Sequence, residues 1–251
     1  MIELADFSKT YGSGKNSFAA ADHVTFSAGQ GGVTALLGPN GAGKTTILRA
    51  VCALHYATGG HVRVSGDDGV MHDAAEESAF VKRLVGFVPE QAMLPKELTA
   101  AELLEECADV RGLSPEEKKS ALLRVVKECS LESVYTKKIR TLSKGFCQRV
   151  SFAQALVADP PNIVLDEPVS GLDPAQIAQI RSLIKKISRT KTVLLSTHIM
   201  QEVSAVCDTV VILSRGKLAA AGTEKNIADS CGVQTLEEAF LKLTGTGGED
   251  A

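Results

Sequence analysis

The chain has 251 residues, 44% of them apolar, with a formal net charge of −3 and no tryptophan. That is enough apolar material for a real core, which excludes wholesale disorder, and the slightly acidic balance gives no sign of a nucleic-acid-binding face. No apolar run approaches the roughly 18–20 residues needed to cross a bilayer, and residues 1–6 have neither the basic flank nor the apolar stretch of a signal peptide, so a soluble cytoplasmic protein is expected.

Residues 2–7 and 24–28 partly alternate, as half-buried strands do. Between them, Gly12-Ser-Gly-Lys15 imitates a phosphate loop but fails its spacing, because the leading glycine would have to stand where Lys9 is; a turn is expected. Residues 33–37 form a β-branched, apolar run that reads as a buried strand. Next come Gly38, Pro39, Asn40, Gly41, Ala42, Gly43, Lys44, Thr45 and Thr46, and then residues 47–54, which read as a helix. This is Gly-x-x-x-x-Gly-Lys-Thr in a strand–loop–helix setting, the context the motif requires. Glycines let the backbone turn its N–H groups onto an anion, and the helix N-terminus adds positive potential. Lys44 supplies a mobile charge for the β- and γ-phosphates, and the Thr45 hydroxyl is suited to Mg²⁺. The chain therefore binds a nucleoside triphosphate.

Further along, Gly59 and Gly60 are expected to break the chain, residues 61–64 to form a short strand, 74–84 a helix, and 85–90 a strand stopped by Pro89. From Gln91 to Asp159 the pattern is helical. Thr99 with Glu102, and Ser114 with Pro115 and Glu117, are capping boxes; Leu122, Leu123, Val126 and Cys129 give the second of these helices an apolar face. A further helix spans 149–158. Strands at 163–165, 193–197 and 209–213 then alternate with helices at 173–188 and 199–206. Arg215-Gly-Lys217 turns into residues 218–221, and a short helix covers 235–243 before a Gly-rich, acidic and loose tail at 244–251. The expected fold is α/β: a P-loop core with a mainly parallel sheet (1–91 and 160–230), an N-terminal antiparallel β part, an inserted helical subdomain (92–159), and a short C-terminal helix and tail (231–251). Phosphate would sit at the carboxyl ends of the core strands. The six cysteines show no disulfide pattern. Cys52-x-x-His55 with His61 and His72 is the one arrangement resembling a metal cluster, and it lacks a second closely spaced pair, so packing is its expected role.

The strand at 163–165 ends in Asp166-Glu167-Pro168. Two acids closing an apolar strand fit a cation site: Asp166 is suited to Mg²⁺ beside Thr45, and Glu167 to orienting or deprotonating a water that attacks the γ-phosphate. Shortly before lies Leu142-Ser-Lys-Gly-Phe-Cys-Gln-Arg-Val150, on its own a Ser/Gly turn opening a helix. The order of phosphate loop, Gln91, this segment, Leu165-Asp-Glu-Pro168, Ser170-Gly-Leu-Asp173 and His198 resembles the ATP-binding subunit of an ABC transporter over nearly the whole chain.

The resemblance implies roles residue by residue. Tyr11 resembles the aromatic that stacks on adenine, Gln91 the residue that senses Mg²⁺ and couples to the membrane subunit, and His198 the switch histidine on the γ-phosphate. Ser143 and Gly145 resemble the signature residues that close over the γ-phosphate of the opposite subunit, and Asp173 the residue that communicates across the dimer. Two chains, identical or paralogous, would then close over two ATP molecules, with a separate transmembrane permease as partner. Lys144 and Phe146 depart from the usual signature, where glycine and glutamine stand. The Leu-Ser-Lys-Gly-aromatic form is similar to that of prokaryotic type-two exporters of the gliding-motility and multidrug-resistance kind, which implies a peripheral place on the inner face of the cell membrane. A soluble ABC ATPase serving as a scaffold is the competing expectation. A nucleic-acid-associated ABC protein is disfavoured by the single nucleotide motif and the lack of a basic tract.

Overall fold

A computed structural model describes residues 1–245. Its centre is a six-stranded sheet of β3 (Gly32–Leu37), β6 (Val85–Val88), β7 (Asn162–Asp166), β8 (Thr192–Thr197), β9 (Thr209–Ser214) and β10 (Lys217–Gly222), in the order β10-β9-β3-β8-β7-β6. All neighbours are parallel except the β9–β10 hairpin at one edge. A second, antiparallel sheet joins β1 (Ile2–Tyr11), β2 (Phe18–Ala28), β4 (Gly59–Ser65) and β5 (Met71–Asp73), in the order β2-β1-β4-β5.

The central strands are buried on both faces, and their period of two sorts them between two cores. Val33, Ala35, Leu37, Ile163, Leu165, Val193, Leu195, Val210 and Ile212 point to one side. There they meet the insert helices α3 (Ala100–Val110), α4 (Pro115–Glu128) and α5 (Lys144–Leu156), together with α6 (Pro174–Ile187), α7 (Met200–Val206), α8 (Glu224–Cys231) and α9 (Leu236–Thr244). Leu36, Val164, Leu194, Val211 and Leu213 point to the other side, against α1 (Lys44–Val51), α2 (Ser78–Leu84) and the antiparallel sheet. The phosphate-loop helix is thus clamped between two sheets.

Both expected capping boxes form, with reciprocal side-chain bonds at Thr99/Glu102 and Ser114/Glu117; caps of this kind contribute about 1 kcal/mol each. Several expectations need correction. Gly59 and Gly60 do not break the chain but open β4, where Gly59 pairs with Ser8 and a Cβ on Gly60 would overlap the backbone at Asp6. On α4 the buried residues are Ala121 and Val125, joined by Cys129 at the C-cap; Leu123 is exposed. The helix expected at 149–158 starts at Lys144, because Ser143 serves as its N-cap and Gly145 lies inside it. The edge strand at 71–73 and α8, capped by Thr223, have no counterpart among the expected elements, and the helix expected at 74–84 spans only Ser78–Leu84. Thr244 belongs to the last helix; the rest of the expected loose tail, 246–251, lies outside the described residues.

Candidate functional site

The loop after β3 ends in α1, whose N-cap Gly43 has φ 101°. Glycine is required there twice over: that backbone region is closed to most side chains, and a Cβ would overlap the carbonyl oxygen of Ala20 on β2. The antiparallel sheet thereby rests directly on the loop. Geometry leaves the first N–H groups of α1 without intrahelical partners, so they are free to face an anion. Lys44 is 7% exposed, and its Nζ donates to the carbonyl oxygens of Gly38 (2.6 Å) and Pro39 (3.2 Å). Burial lowers its pKa, while Glu167, Asp166 and Glu90 pull the other way.

β7 ends in the two acids beside this loop. Asp166 is 7% exposed and accepts from the Ser196 hydroxyl at 2.5 Å. The Glu167 N–H donates to the Ser196 carbonyl (3.2 Å) and lies 3.1 Å from its Oγ. Glu167 is held at φ 45°, a left-handed conformation that costs a non-glycine residue about 1 kcal/mol or more and clusters at working sites. Its Oε1 lies 2.9 Å from His198 Nδ1. One cavity of about 360 Å³ gathers Asn40, Gly41, Ala42, Gly43, Lys44, Thr45, Thr46, Asp166, Glu167, His198 and Tyr11. A hydroxyl, a buried carboxylate and a second acid around one space form the hard oxygen donor set that suits Mg²⁺.

Two lining residues, Glu90 and Phe18, and one buried residue behind the wall, Ser196, were not among the expected site residues. Glu90 lines the cavity, whereas the expected Gln91 is exposed and outside it. Phe18 lines the cavity opposite Tyr11, and Ser196 ties both acids of β7 to β8. The nearest signals for Glu90 and Ser196 were their places next to Gln91 and two residues before His198; for Phe18 there was none.

Ser143, Gly145 and Asp173 stand apart from the cavity wall. Ser143 caps α5, its Oγ accepting from the Phe146 N–H at 3.4 Å, and Asp173 caps α6, accepting from Gln176 at 2.9 Å. The two helix starts touch: a Cβ on Gly145 would overlap the Gln176 side chain, and one on Gly171 would overlap the Lys144 ammonium. That contact explains why a glycine is tolerated inside α5 despite a cost of about 1 kcal/mol. The residues that resembled a metal cluster disperse: His61 faces Asp73 (2.9 Å), His72 faces Glu77 (2.9 Å), His55 packs edge-on to Tyr11, and the buried Cys52 thiol is pushed far up by desolvation.

Fold and cavity together define a P-loop nucleotide-binding protein. Its relatives narrow the class. A family model described as ABC transporter matches residues 21–170. The ABC transporter ATP-binding protein NatA of Bacillus subtilis is 33% identical over 96% of this chain and 97% of its own. The linearmycin resistance ATP-binding protein LnrL of the same organism is 31% identical, over 100% of this chain and 77% of its own. The solved structure of an ATP-binding subunit of an ABC transporter superposes with a TM-score of 0.85 at 30% identity, covering 97% of this chain and 99% of that one. A dimeric ATP-binding cassette in a post-hydrolysis state with ADP and Pi gives 0.78 at 29% identity, covering 89% and 98%. This chain belongs to the ABC transporter family, as an ATP-binding subunit.

Proposed function

We propose that the chain hydrolyses MgATP and, as one of a closing pair, drives a separate membrane-spanning permease of the exporter kind. The observation that carries this reading is the convergence of Lys44, Asp166, Glu167 and His198 on one cavity, with Ser143 and Gly145 outside it. Lys44 and the start of α1 hold the phosphates. Thr45 and Asp166 would hold Mg²⁺, which neutralises phosphate charge when bound. Glu167, fixed by Ser196 and His198, takes the proton of a water whose oxygen bonds to the γ-phosphorus as the bond to ADP breaks. His198 orients Glu167 and faces the γ-phosphate. Of the two neighbours at 90 and 91, Glu90 is the one poised to read the state of that site. Ser143 and Gly145 then meet the nucleotide of a second copy or a paralogue, and Asp173 sits beside them at the junction. Because those contacts exist only in the closed pair, nucleotide shifts the population towards it.

The test joins two measurements. The purified chain should release phosphate from ATP with Mg²⁺ and stop when the metal is chelated. Tagged chain recovered from detergent-solubilised membranes should bring down an integral membrane protein. Recovery of soluble partners alone would overturn the transport reading in favour of a scaffold while leaving the ATPase intact. That subunit would hold the chain at the inner face of the membrane.

A further inference from the structure

The turn at residues 12–17, rejected as a phosphate loop, presents two rings to the cavity. Tyr11 closes β1, Phe18 opens β2, and the two are direct cross-strand partners. Partners in an antiparallel pair project from the same face, with Cβ atoms about 5 Å apart. Both rings line the cavity that holds the phosphate loop, and both are exposed, Tyr11 by 40% and Phe18 by 60%.

Their position is set by a bulge. Lys9 pairs with Ala21 and Thr10 with Ala19, so Ala20 is the extra residue on β2. Bulges bend a strand and re-aim its side chains. The carbonyl of Ala20 packs where Gly43 lacks a Cβ, so the bulge seats the rings at a fixed offset from the phosphate loop. Tyr11 is braced from behind by His55, edge-on at 6.0 Å, and by the Lys9 ammonium 5.2 Å from its ring. Among the described residues no ring or cation contact involves Phe18.

Resting on the nucleotide-site reading, we infer that Phe18 is a second base-contacting residue, forming with Tyr11 a two-ring seat for the nucleobase. A large ring left open to water at the rim of a polar cavity suits a flat heteroaromatic partner, since stacking needs only a π-face. Tyr11, Phe18 and Ala20 offer surface and a single hydroxyl, so the seat holds a purine by shape and stacking and does not select adenine over guanine.

The test compares wild type with Phe18→Ala and Phe18→Trp, using ATP, GTP and inorganic tripolyphosphate as probes with Mg²⁺. Phe18→Ala should raise KM for both ATP and GTP about fivefold or more, with the effect on KM rather than on kcat, and leave inhibition by tripolyphosphate unchanged. Phe18→Trp should restore KM. An unchanged KM for ATP in Phe18→Ala overturns the inference, and so does an equal weakening of tripolyphosphate, which would put the effect in the phosphate loop. If wild type bound neither ATP nor tripolyphosphate, the nucleotide-site reading would fall and this inference with it. Tripolyphosphate binding alongside an unaltered Phe18→Ala variant would sink only the second ring.

Discussion

The two ends of the cavity are built by opposite means. The phosphate end is contiguous chain: residues 38–46 turn, start a helix and fold Lys44 back onto the carbonyls of Gly38 and Pro39. The base end is assembled from distant parts. A β-hairpin with a bulge at Ala20 brings Phe18 beside Tyr11, and a residue from the loop after α1, His55, backs the ring. One end is a local conformation, the other a register. Losses at the first should therefore be large and fall on turnover, while losses at the second should be graded and fall on affinity or stability.

The largest effect is expected from Lys44→Ala, which removes a buried cation from the phosphate cradle. Turnover should fall about a thousandfold, as when a preorganised charge is taken from a transition state. Phosphate release by the purified variant measures it, and near-wild-type activity would break the distinction at its strong end. Glu167→Gln should cost about a hundredfold in hydrolysis while ATP still binds. Size-exclusion chromatography with ATP should then show a closed dimer that wild type does not accumulate. A monomer under those conditions would separate binding from closure and weaken the two-chain scheme.

Ser196→Ala probes the support beneath the acids. Its hydroxyl donates to Asp166, and both its Oγ and its carbonyl lie within reach of the Glu167 N–H. Losing it leaves Asp166 buried with one bond fewer, at a stability cost of about 1–3 kcal/mol. Turnover should drop about tenfold, since a small displacement of a reacting group is costly. Denaturant melts and kcat measured on the same preparation check both. A stability loss without a kinetic one would make Ser196 a packing residue only.

This division also explains what could be read before folding. Residues 38–46 carry their own conformation, so their spacing and the strand and helix that flank them identified the loop. Thr99 with Glu102 and Ser114 with Glu117 are local for the same reason, and both caps form as read. Asp166 and Glu167 were legible because carboxylates are out of place at the end of an apolar strand. What escaped was decided by contact. Gly145 reads as a breaker until the side chain of Gln176 occupies the space beside it, which is why the start of α5 was placed five residues late. Glu90 read as the end of a strand, and only the bend after β6 brings it to the cavity. Phe18 depends on a one-residue bulge in pairing, which no composition signal announces.

The smallest effect is the most specific to the base end. The ring nitrogens of His55 are buried, and its pKa lies below the ordinary 6.5, chiefly through burial and then through the nearby charges of Lys9 and Arg49. In the unfolded chain the same imidazole takes up a proton near 6.5. Between that value and its lower folded one, the unfolded state binds more protons, so stability falls as the pH drops and is fully present above about 6.5. His55→Phe keeps a ring edge against Tyr11 but cannot titrate. Its melting temperature should fall less than that of wild type between neutral pH and pH 5.5, with the two chains closest above neutrality. His23 titrates with the opposite sign, raised by Asp6, but it is present in both proteins and cancels from the difference. Equal pH slopes would mean that the imidazole behind Tyr11 reaches water, and the brace at the base end would then be looser than the cradle at the phosphate end by more than register alone accounts for.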